Sequence, residues 1–263
     1  MVVWIDELQG VTPEIVYPES DGKPLAENTL QFQWIVTFHS NIVGMFHDRD
    51  DVFVASDLLW YPVEGHPEIC AAPDVMVALG RPKGERRSYR QWAEEGVGPQ
   101  VAFEIMSHTN TYHEMIDKLT YYEEHGVEEY YVYDPHSNRL QVYIRRNDML
   151  RRVMKLDDFS SPLLGIRFDF SQGVMAILGP DGRRFLTSEE QMAERETLEL
   201  LAAESEQRRA ESEQRRAESE QRLATAEARM ARLIELGRKA RRGEASPDEL
   251  RELDSLEDAA PAT

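Results

Sequence analysis

The chain of 263 residues has a single cysteine, Cys70, so no disulfide can form within it. A lone thiol fits a reducing compartment, and we expect the protein in the cytoplasm. The sequence has no run of about 18 apolar residues, which argues against a membrane-spanning helix and a membrane partner. The opening segment MVVWIDELQG carries acids and no basic stretch, so a signal peptide is not expected.

Basic residues are scarce. The chain has 30 Lys and Arg against 49 Asp and Glu, a formal net charge of -19. From Ser188 onward there are 20 acids and 13 bases, a net of -7, which leaves -12 for the preceding part. Non-specific binding of nucleic acid needs neutralisation of phosphates, so the bulk charge argues against it but leaves a local basic site open. The sequence also lacks a glycine-rich phosphate loop and a serine nucleophile elbow.

The first 187 residues alternate between helical and strand patterns. Leu30, Trp34 and Phe38 recur at helical spacing after Asn28, a candidate N-cap. A second helix is predicted from Tyr112 to His125 and ends at Gly126. Strands are predicted in VFVASDLLWYP, APDVMVAL, QVAFEIMS and EEYYVYDP, and hairpins around Asn147-Asp148 and Asp181-Gly182. This order predicts an α/β fold with a mixed central sheet flanked by helices.

Glycine and proline are absent from Ser188 to Leu236, where AESEQRR begins at Ala203 and Ala210 and returns as AESEQRL at Ala217. We therefore predict a long charged helix over residues 188–242, after a domain of residues 1–187. The helix is either solvated and held by Glu–Arg pairs or a weak coiled coil that makes a homodimer, and we favour the coiled coil. Residues 243–263 are predicted to be an acidic, partly disordered tail that contains at most a short helix.

Two carboxylates and a lysine form the candidate site. Asp74 follows a proline at the start of an apolar run, and Glu104 lies inside another such run. If these two strands form an antiparallel pair, the two carboxylates meet, and Lys118 lies on the border of the following helix. Carboxylates bind Mg²⁺ or Mn²⁺, and a lysine can position a water molecule or offset charge in phosphodiester hydrolysis. The alternative is that Glu104 and Lys118 form a buried ion pair with a structural role only.

The same residues carry a resemblance. PDVMV, then FEIMS, a lysine fourteen residues after the glutamate, a tyrosine four residues later and GVEEYYVYDP are similar to the Uma-two family of the PD-(D/E)-x-K nuclease superfamily. The similarity spans roughly residues 27–187. It implies a restriction-endonuclease-like fold and metal-dependent cleavage of DNA. It also implies that Asp74 and Glu104 are the metal ligands, Lys118 is the catalytic lysine, and Glu114 and Tyr122 support the site.

The chain departs from the family pattern at three places. Met106 stands where the superfamily usually has its lysine, and Lys118 on the helix is similar to the family's own variant arrangement. Ser107-His108 replaces Ser-Pro, and Glu114 replaces a common aspartate. His108 and His113 flank the site in sequence and are further candidates for substrate contact.

The densest basic stretch of the first domain is RPKGERRSYR. Its basic residues, predicted to contact nucleic acid outside the cleavage centre, are Arg81, Lys83, Arg86, Arg87 and Arg90. The hairpin places this loop about 20 Å from Asp74, and Tyr89 and Trp92 are candidates for stacking on bases. A solvated loop that balances nearby acids is the alternative.

Three functions remain in competition. The intact Asp–Glu–Lys set favours a Mg²⁺-dependent DNA endonuclease. The acidic surface and Met106 favour a nuclease-fold module with little or no activity that binds nucleic acid or assembles through its C-terminal helix. A purely structural coiled-coil protein leaves the charge of Glu104 unexplained.

Overall fold

The computed structural model describes residues 15–258, without the side chain of Tyr112. The expectations for the first ten residues and for the end of the acidic tail, residues 259–263, lie outside the described residues. The chain divides into two compact units at Met192–Ala193. The predicted functional boundaries at residues 187 and 242 stay predictions.

The first unit is built around a six-stranded sheet. Its ten strands in chain order are β1 (Val52–Ala55), β2 (Trp60–Tyr61), β3 (Val75–Leu79), β4 (Tyr89–Arg90), β5 (Val101–Ile105), β6 (Glu129–Asp134), β7 (Arg139–Arg146), β8 (Met149–Arg152), β9 (Arg167–Asp169) and β10 (Ala176–Leu178). The central sheet has the order β1-β3-β5-β6-β7-β8, and the pairs β2–β4 and β9–β10 form two small sheets.

The central sheet is mixed. Neighbouring strands are antiparallel except β5 and β6, which run parallel and are joined by helix α2 (Tyr112–Glu124). A parallel pair needs such a crossover because a tight turn cannot return the chain to the same end of the sheet. Helix α1 (Thr29–Met45) precedes the sheet. The predicted mixed α/β architecture is confirmed, as are the strand–helix–strand unit and the hairpin at Asn147-Asp148.

The two helices bury opposite faces of the sheet. Ile35, Phe38 and Ile42 of α1 pack with Val75 and Phe103 on one face. On the other face, α2 and β2 pack against the side chains of β3 and β5 that point away from α1. This second core includes Trp60, Met76, Ala102, Met115 and Tyr122. Residues 74, 76, 102 and 104 therefore share the face covered by α2, because side chains alternate along a strand.

The apolar stripe of α1 is rotated relative to its prediction. Its buried positions include Gln31, Ile35 and Phe38, whereas Leu30 and Trp34 are half-buried. The N-cap is as predicted, since the Asn28 side chain accepts a hydrogen bond from the amide of Gln31 at 2.8 Å.

The second predicted hairpin forms only in part. Strand β10 pairs mainly with β9, and across the turn at Asp181-Gly182 there is a single bridge, Leu178 to Arg184. The chain beyond the turn leaves β10 to reach α1, where the Asn41 side chain binds both backbone groups of Leu186. Because this contact draws the chain towards α1, the β-pairing across the turn is limited to that single bridge.

Helix α3 (Ser188–Arg242) matches the predicted long helix, and α4 (Pro247–Asp258) follows within the predicted acidic tail. In the second unit α4 folds back along α3, where Arg232 pairs with Glu252 at 2.7 Å and Lys239 with Glu249 at 2.7 Å. Leu236 is the buried apolar residue of this helical hairpin. Within residues 15–258 none of the helices has the length and apolar character needed to cross a bilayer.

Candidate active site

Strands β3 and β5 bring the two predicted carboxylates together. Val75 pairs with Phe103, and continuing this register by one residue places Asp74 opposite Glu104. The Asp74 carboxylate accepts a hydrogen bond from the amide of Ile105 at 2.6 Å, which fixes it against the end of β5. The convergence that the sequence predicted is therefore present.

Glu104 is 2% exposed, and its charge is balanced inside the fold. One carboxylate oxygen accepts a hydrogen bond from Lys118 Nζ at 2.5 Å, and the other accepts one from the Tyr122 hydroxyl at 2.5 Å. Both donors lie on α2, four residues apart, so one turn of helix satisfies both oxygens. The Lys118 side chain is 32% exposed, which keeps its amine within reach of solvent.

The site shifts the protonation of its members. Burial and then the neighbouring Glu104 raise the pKa of Asp74 to about 8, and Lys118 only partly opposes this. Burial works against a charged Lys118, but Glu104 and Asp74 outweigh it and raise the pKa of the amine. Burial and Glu104 also raise the pKa of Tyr122 well above its usual value. At neutral pH the site thus holds a protonated lysine and a neutral tyrosine.

Asp57 is an acid at this site that the sequence analysis did not single out. It follows β1 with a φ of 50°, and its amide donates to the carbonyl of Pro73 at 3.0 Å, directly before Asp74. Burial, then Asp21, raise the pKa of Asp57, and Glu104 adds to the effect while Lys118 opposes it. The sequence signal was only a Ser-Asp pair at a strand end, which is common in turns.

Gln31 was also missed. It is 6% exposed, and its amide nitrogen donates to the carbonyl of Ile105 at 2.8 Å while its oxygen accepts from the amide of Glu27 at 2.9 Å. This bond ties α1 to the end of β5, beside Glu104. A polar residue at the spacing of Ile35 and Phe38 was the available signal.

Glu114 has a positioning role. Its carboxylate accepts from the amide of Thr111 at 2.8 Å, and the Thr111 hydroxyl accepts from the amide of Glu114 at 3.2 Å. This reciprocal capping box starts α2 and sets the register that carries Lys118.

The position usually held by the superfamily lysine is filled by an apolar side chain. Met106 packs against the core under α2, in a small cavity that Met115 also lines. Lys118 reaches Glu104 from the helix instead.

The donor set fits a hard divalent cation. Asp74 and Glu104 offer oxygen atoms, and Mg²⁺ is commonly held by one or two carboxylates with water and substrate phosphate completing its shell. The second oxygen of Asp74 makes no hydrogen bond to the described residues, so it is available as a ligand. A group of three or more His, Cys, Asp or Glu residues arranged for a metal is not found in the described part of the chain.

Residues 16–174 match the family described as "Uma2: Putative restriction endonuclease". This span is more than half of the chain and contains Asp74, Glu104 and Lys118. The chain belongs to the Uma2 family. The resemblance seen in the sequence is thereby confirmed.

Comparison with solved structures returns a neighbour of low similarity. It is described as a putative nuclease belonging to DUF820 from Anabaena variabilis ATCC 29413, with 13% identity and a TM-score of 0.38. The match covers 53% of this chain and 74% of that one. The search of curated proteins gave no match.

In this Uma2 protein the loop of residues 81–90 uses two of its arginines internally. The side chains of Arg81 and Arg86 are 10% and 12% exposed, and both bind Glu94. Arg86 also lies over the Phe53 ring at 3.9 Å. These guanidinium groups hold the loop to the sheet.

The remaining members of the loop differ in exposure. Lys83 donates to a backbone carbonyl at 2.7 Å, and Arg90 lies over a tyrosine ring at 4.9 Å. Tyr89 is fully buried, so it cannot stack on a base. Arg87 is 79% exposed beside Glu19, at 3.2 Å, and is the arginine of this loop most accessible to a ligand.

Proposed function

We propose that this Uma2 protein is a Mg²⁺-dependent DNA endonuclease that hydrolyses phosphodiester bonds. One observation carries the proposal: Asp74 and Glu104 face each other at the ends of β3 and β5, and Lys118 contacts Glu104 at 2.5 Å. Family membership supports the reaction class, and the oxygen-only donor set supports the cation.

Each residue has a distinct role in this proposal. Asp74 and Glu104 hold the cation. When bound, Mg²⁺ or Mn²⁺ supplies positive charge that acidifies water and offsets charge on the scissile phosphate. Lys118, kept protonated by its raised pKa, faces the same phosphate as a cation and stabilises the charge that grows on it. Tyr122 donates to Glu104 and holds that carboxylate in one orientation.

A second candidate function rests on the same contacts. Both oxygens of Glu104 already have partners, Lys118 and Tyr122. Such a closed network can hold the fold together without metal, as expected of an inactive nuclease-fold module that binds nucleic acid or assembles through its C-terminal helix.

Three further features belong to the proposal. DNA is the proposed substrate, and Arg87 is the most exposed contact of the predicted loop.

The protein is proposed to be a homodimer that pairs partly through α3, whose apolar residues Leu198, Leu223 and Met230 are exposed. The cytoplasm is the proposed location, supported by the free thiol of Cys70.

Cleavage of supercoiled and single-stranded DNA, with Mg²⁺, Mn²⁺ or a chelator, tests the function. Wild type should nick DNA only with a cation, and Glu104→Gln and Lys118→Ala should lose about a hundredfold or more in rate. Glu129→Gln is the matched control, because Glu129 is also buried, at 1% exposure, but binds Tyr131, Ser161 and the amide of Leu163. A wild-type protein inactive with either cation would favour the second candidate.

A further inference from the structure

The β7–β8 hairpin is basic in an acidic molecule. Residues 139–155 contain six basic residues and one acid, Asp148, whereas the whole chain carries a net charge of -19. The alternation of side chains in this segment accounts for its two strands but not for its positive charge.

Most arginines of the first unit outside this hairpin are neutralised by carboxylates. Arg49, Arg81, Arg86, Arg87, Arg183 and Arg184 all lie within ion-pair distance of an acid. Within residues 15–258 no carboxylate lies at that distance from Arg139, Arg146, Arg151 or Arg152, which are all exposed. The hairpin therefore keeps positive charge for a ligand from outside.

Arg145 is the exception within the hairpin. Its guanidinium donates to the carbonyl of Val127 at 2.8 Å and to that of Glu123 at 2.7 Å, at the end of α2. It holds α2 to the sheet. The other arginines have no such structural task.

Two of these arginines share a recess. Arg139 and Arg152 line a surface depression of about 440 Å³ whose other walls include Gln141 and Phe170. Asp134, which pairs with Arg139 across the strands, is held by the Ser137 hydroxyl at 2.6 Å instead. Within residues 15–258, Asp134 and the other carboxylates thus lie outside ion-pair distance of both arginines that line the recess.

The recess lies at the edge of the sheet: Leu140 and Phe170 in its wall pack in the core on the α1 face. Arg139, Gln141 and Arg152 occupy strand positions of the other face, which carries the candidate active site. Glu104 pairs with Val132, and Val132 with Gln141, so Gln141 lies two strands, about 10 Å, from Glu104. Arg139 is two residues from Gln141 and lies about 12 Å from Glu104. Arg152 pairs with Tyr143 on the next strand, about 16 Å away.

We propose that Arg139 and Arg152 bind the phosphate backbone of the DNA strand that reaches the candidate active site. The proposal rests on the proposed function. Arginine suits the task because its planar guanidinium can bind phosphate through two parallel hydrogen bonds.

The same hairpin offers a matched control. Arg146 and Arg151 are also exposed and lie outside ion-pair distance of a described carboxylate, and their strand positions alternate with those of Arg145 and Arg152. Arg152 also lines a second depression with both of them, so Arg139 is the residue that separates the two variants most clearly. Two double variants remove the same charge from the same hairpin. One is Arg139→Gln with Arg152→Gln, and the control is Arg146→Gln with Arg151→Gln. Only their positions relative to Glu104 differ.

The test is fluorescence anisotropy of a labelled duplex with the full-length protein, in chelator so that binding is measured without cleavage. Loss of two phosphate contacts should reduce the slope of log K against log salt by about 1.8 and weaken binding about 60-fold at 0.1 M salt. We expect this for the Arg139 and Arg152 variant and less than a threefold change for the control. Thermal melts of both variants should match wild type.

The outcomes separate this inference from the proposed function. Wild type that binds DNA through Arg139 and Arg152 but never cleaves it would keep the inference and reject the nuclease. Wild type that cleaves DNA while both variants bind normally would reject the inference alone. An equal loss in both variants, or no DNA binding by wild type, would also overturn it.

Discussion

Two buried glutamates on neighbouring strands show how the surroundings of a residue set its role. Glu104 on β5 binds a lysine amine and a tyrosine hydroxyl beside a second carboxylate, Asp74. Glu129 on β6 binds two hydroxyls and one amide, and no cationic side chain within the described residues lies at ion-pair distance from it. Under the proposed function the first arrangement binds a metal ion, whereas the second has a structural role.

Replacing Glu104 with glutamine tests its contact with Lys118. The amide removes the charge that Lys118 neutralises, so we expect the metal-free protein to lose about 2 kcal/mol of unfolding free energy. Thermal melts should show that Glu104→Gln with Lys118→Met recovers part of the loss, because neither charge remains.

The same melts, repeated with Mg²⁺, test the metal site. A cation at 100 times its dissociation constant should stabilise wild type by about 2.7 kcal/mol, since it binds only the folded state. Glu104→Gln should lose most of this increment, and Glu129→Gln should keep it. Equal stabilisation of all three proteins would place the cation elsewhere.

The carboxyl of Glu129 gives a pH prediction. Burial raises its pKa above 4.5, although Ser161 and Tyr131 partly oppose this by hydrogen bonding. The folded state therefore holds the proton more tightly than the unfolded state, and this stabilising contribution is lost as pH rises through the folded pKa. The difference in melting temperature between wild type and Glu129→Gln should change over that interval and then level off. A difference in melting temperature between the two proteins that does not change with pH above pH 4 would contradict the raised pKa of Glu129.

At the scale of elements, the start of α2 controls the site. Thr111 and Glu114 form the capping box that fixes this helix, and Lys118 follows one turn later. Thr111→Ala should cost about 1 kcal/mol and lower cleavage by displacing Lys118. Ser246→Ala is the control, because Ser246 forms the same reciprocal bonds with Glu249 at the start of α4. Cleavage that falls equally in both variants would reject a specific role for the α2 cap.

The elements and their pairing were largely predictable because they depend on local patterns. Alternation and turn residues placed β3 and β5, and their antiparallel register followed closely enough to bring Asp74 to Glu104. The bond from Gln31 to Ile105 joins residues 74 positions apart, and no local pattern encodes such a contact. The internal contacts of the basic loop were unpredictable for a related reason, since a count of charges cannot show that Glu94 binds Arg81 and Arg86.

At the scale of the whole molecule, charge is unevenly placed. A body with a net charge of -19 repels DNA at long range, so productive approach must be directed to a local positive surface. The β7–β8 hairpin offers one on the side of the candidate active site, and its effect should weaken as salt screens it. The acidic surface and the nuclease proposal are therefore compatible.

Assembly is the remaining question at this scale, and α3 is the element that should decide it. Its residues Leu223 and Met230 are seven apart and are 61% and 58% exposed. Met230 also lines a groove of about 680 Å³ with Leu233. A helix of 55 residues with so little buried surface gains most by pairing with a second copy along this stripe. We expect full-length protein to sediment as a dimer at micromolar concentration.

Leu223→Glu with Met230→Glu should shift this dimer to monomer, because four glutamates would meet at the seam. Met154→Glu, at an 83% exposed position of the first unit, is the matched control and should leave the dimer intact. To test the first unit alone, the chain should be cut after Met192 and not after Thr187. Glu190 binds Arg184 and Gln191 binds Ser40, so both residues are needed by the first unit. A monomeric full-length protein would reject the coiled coil, and a truncated protein that remains a dimer would move the interface to the first unit.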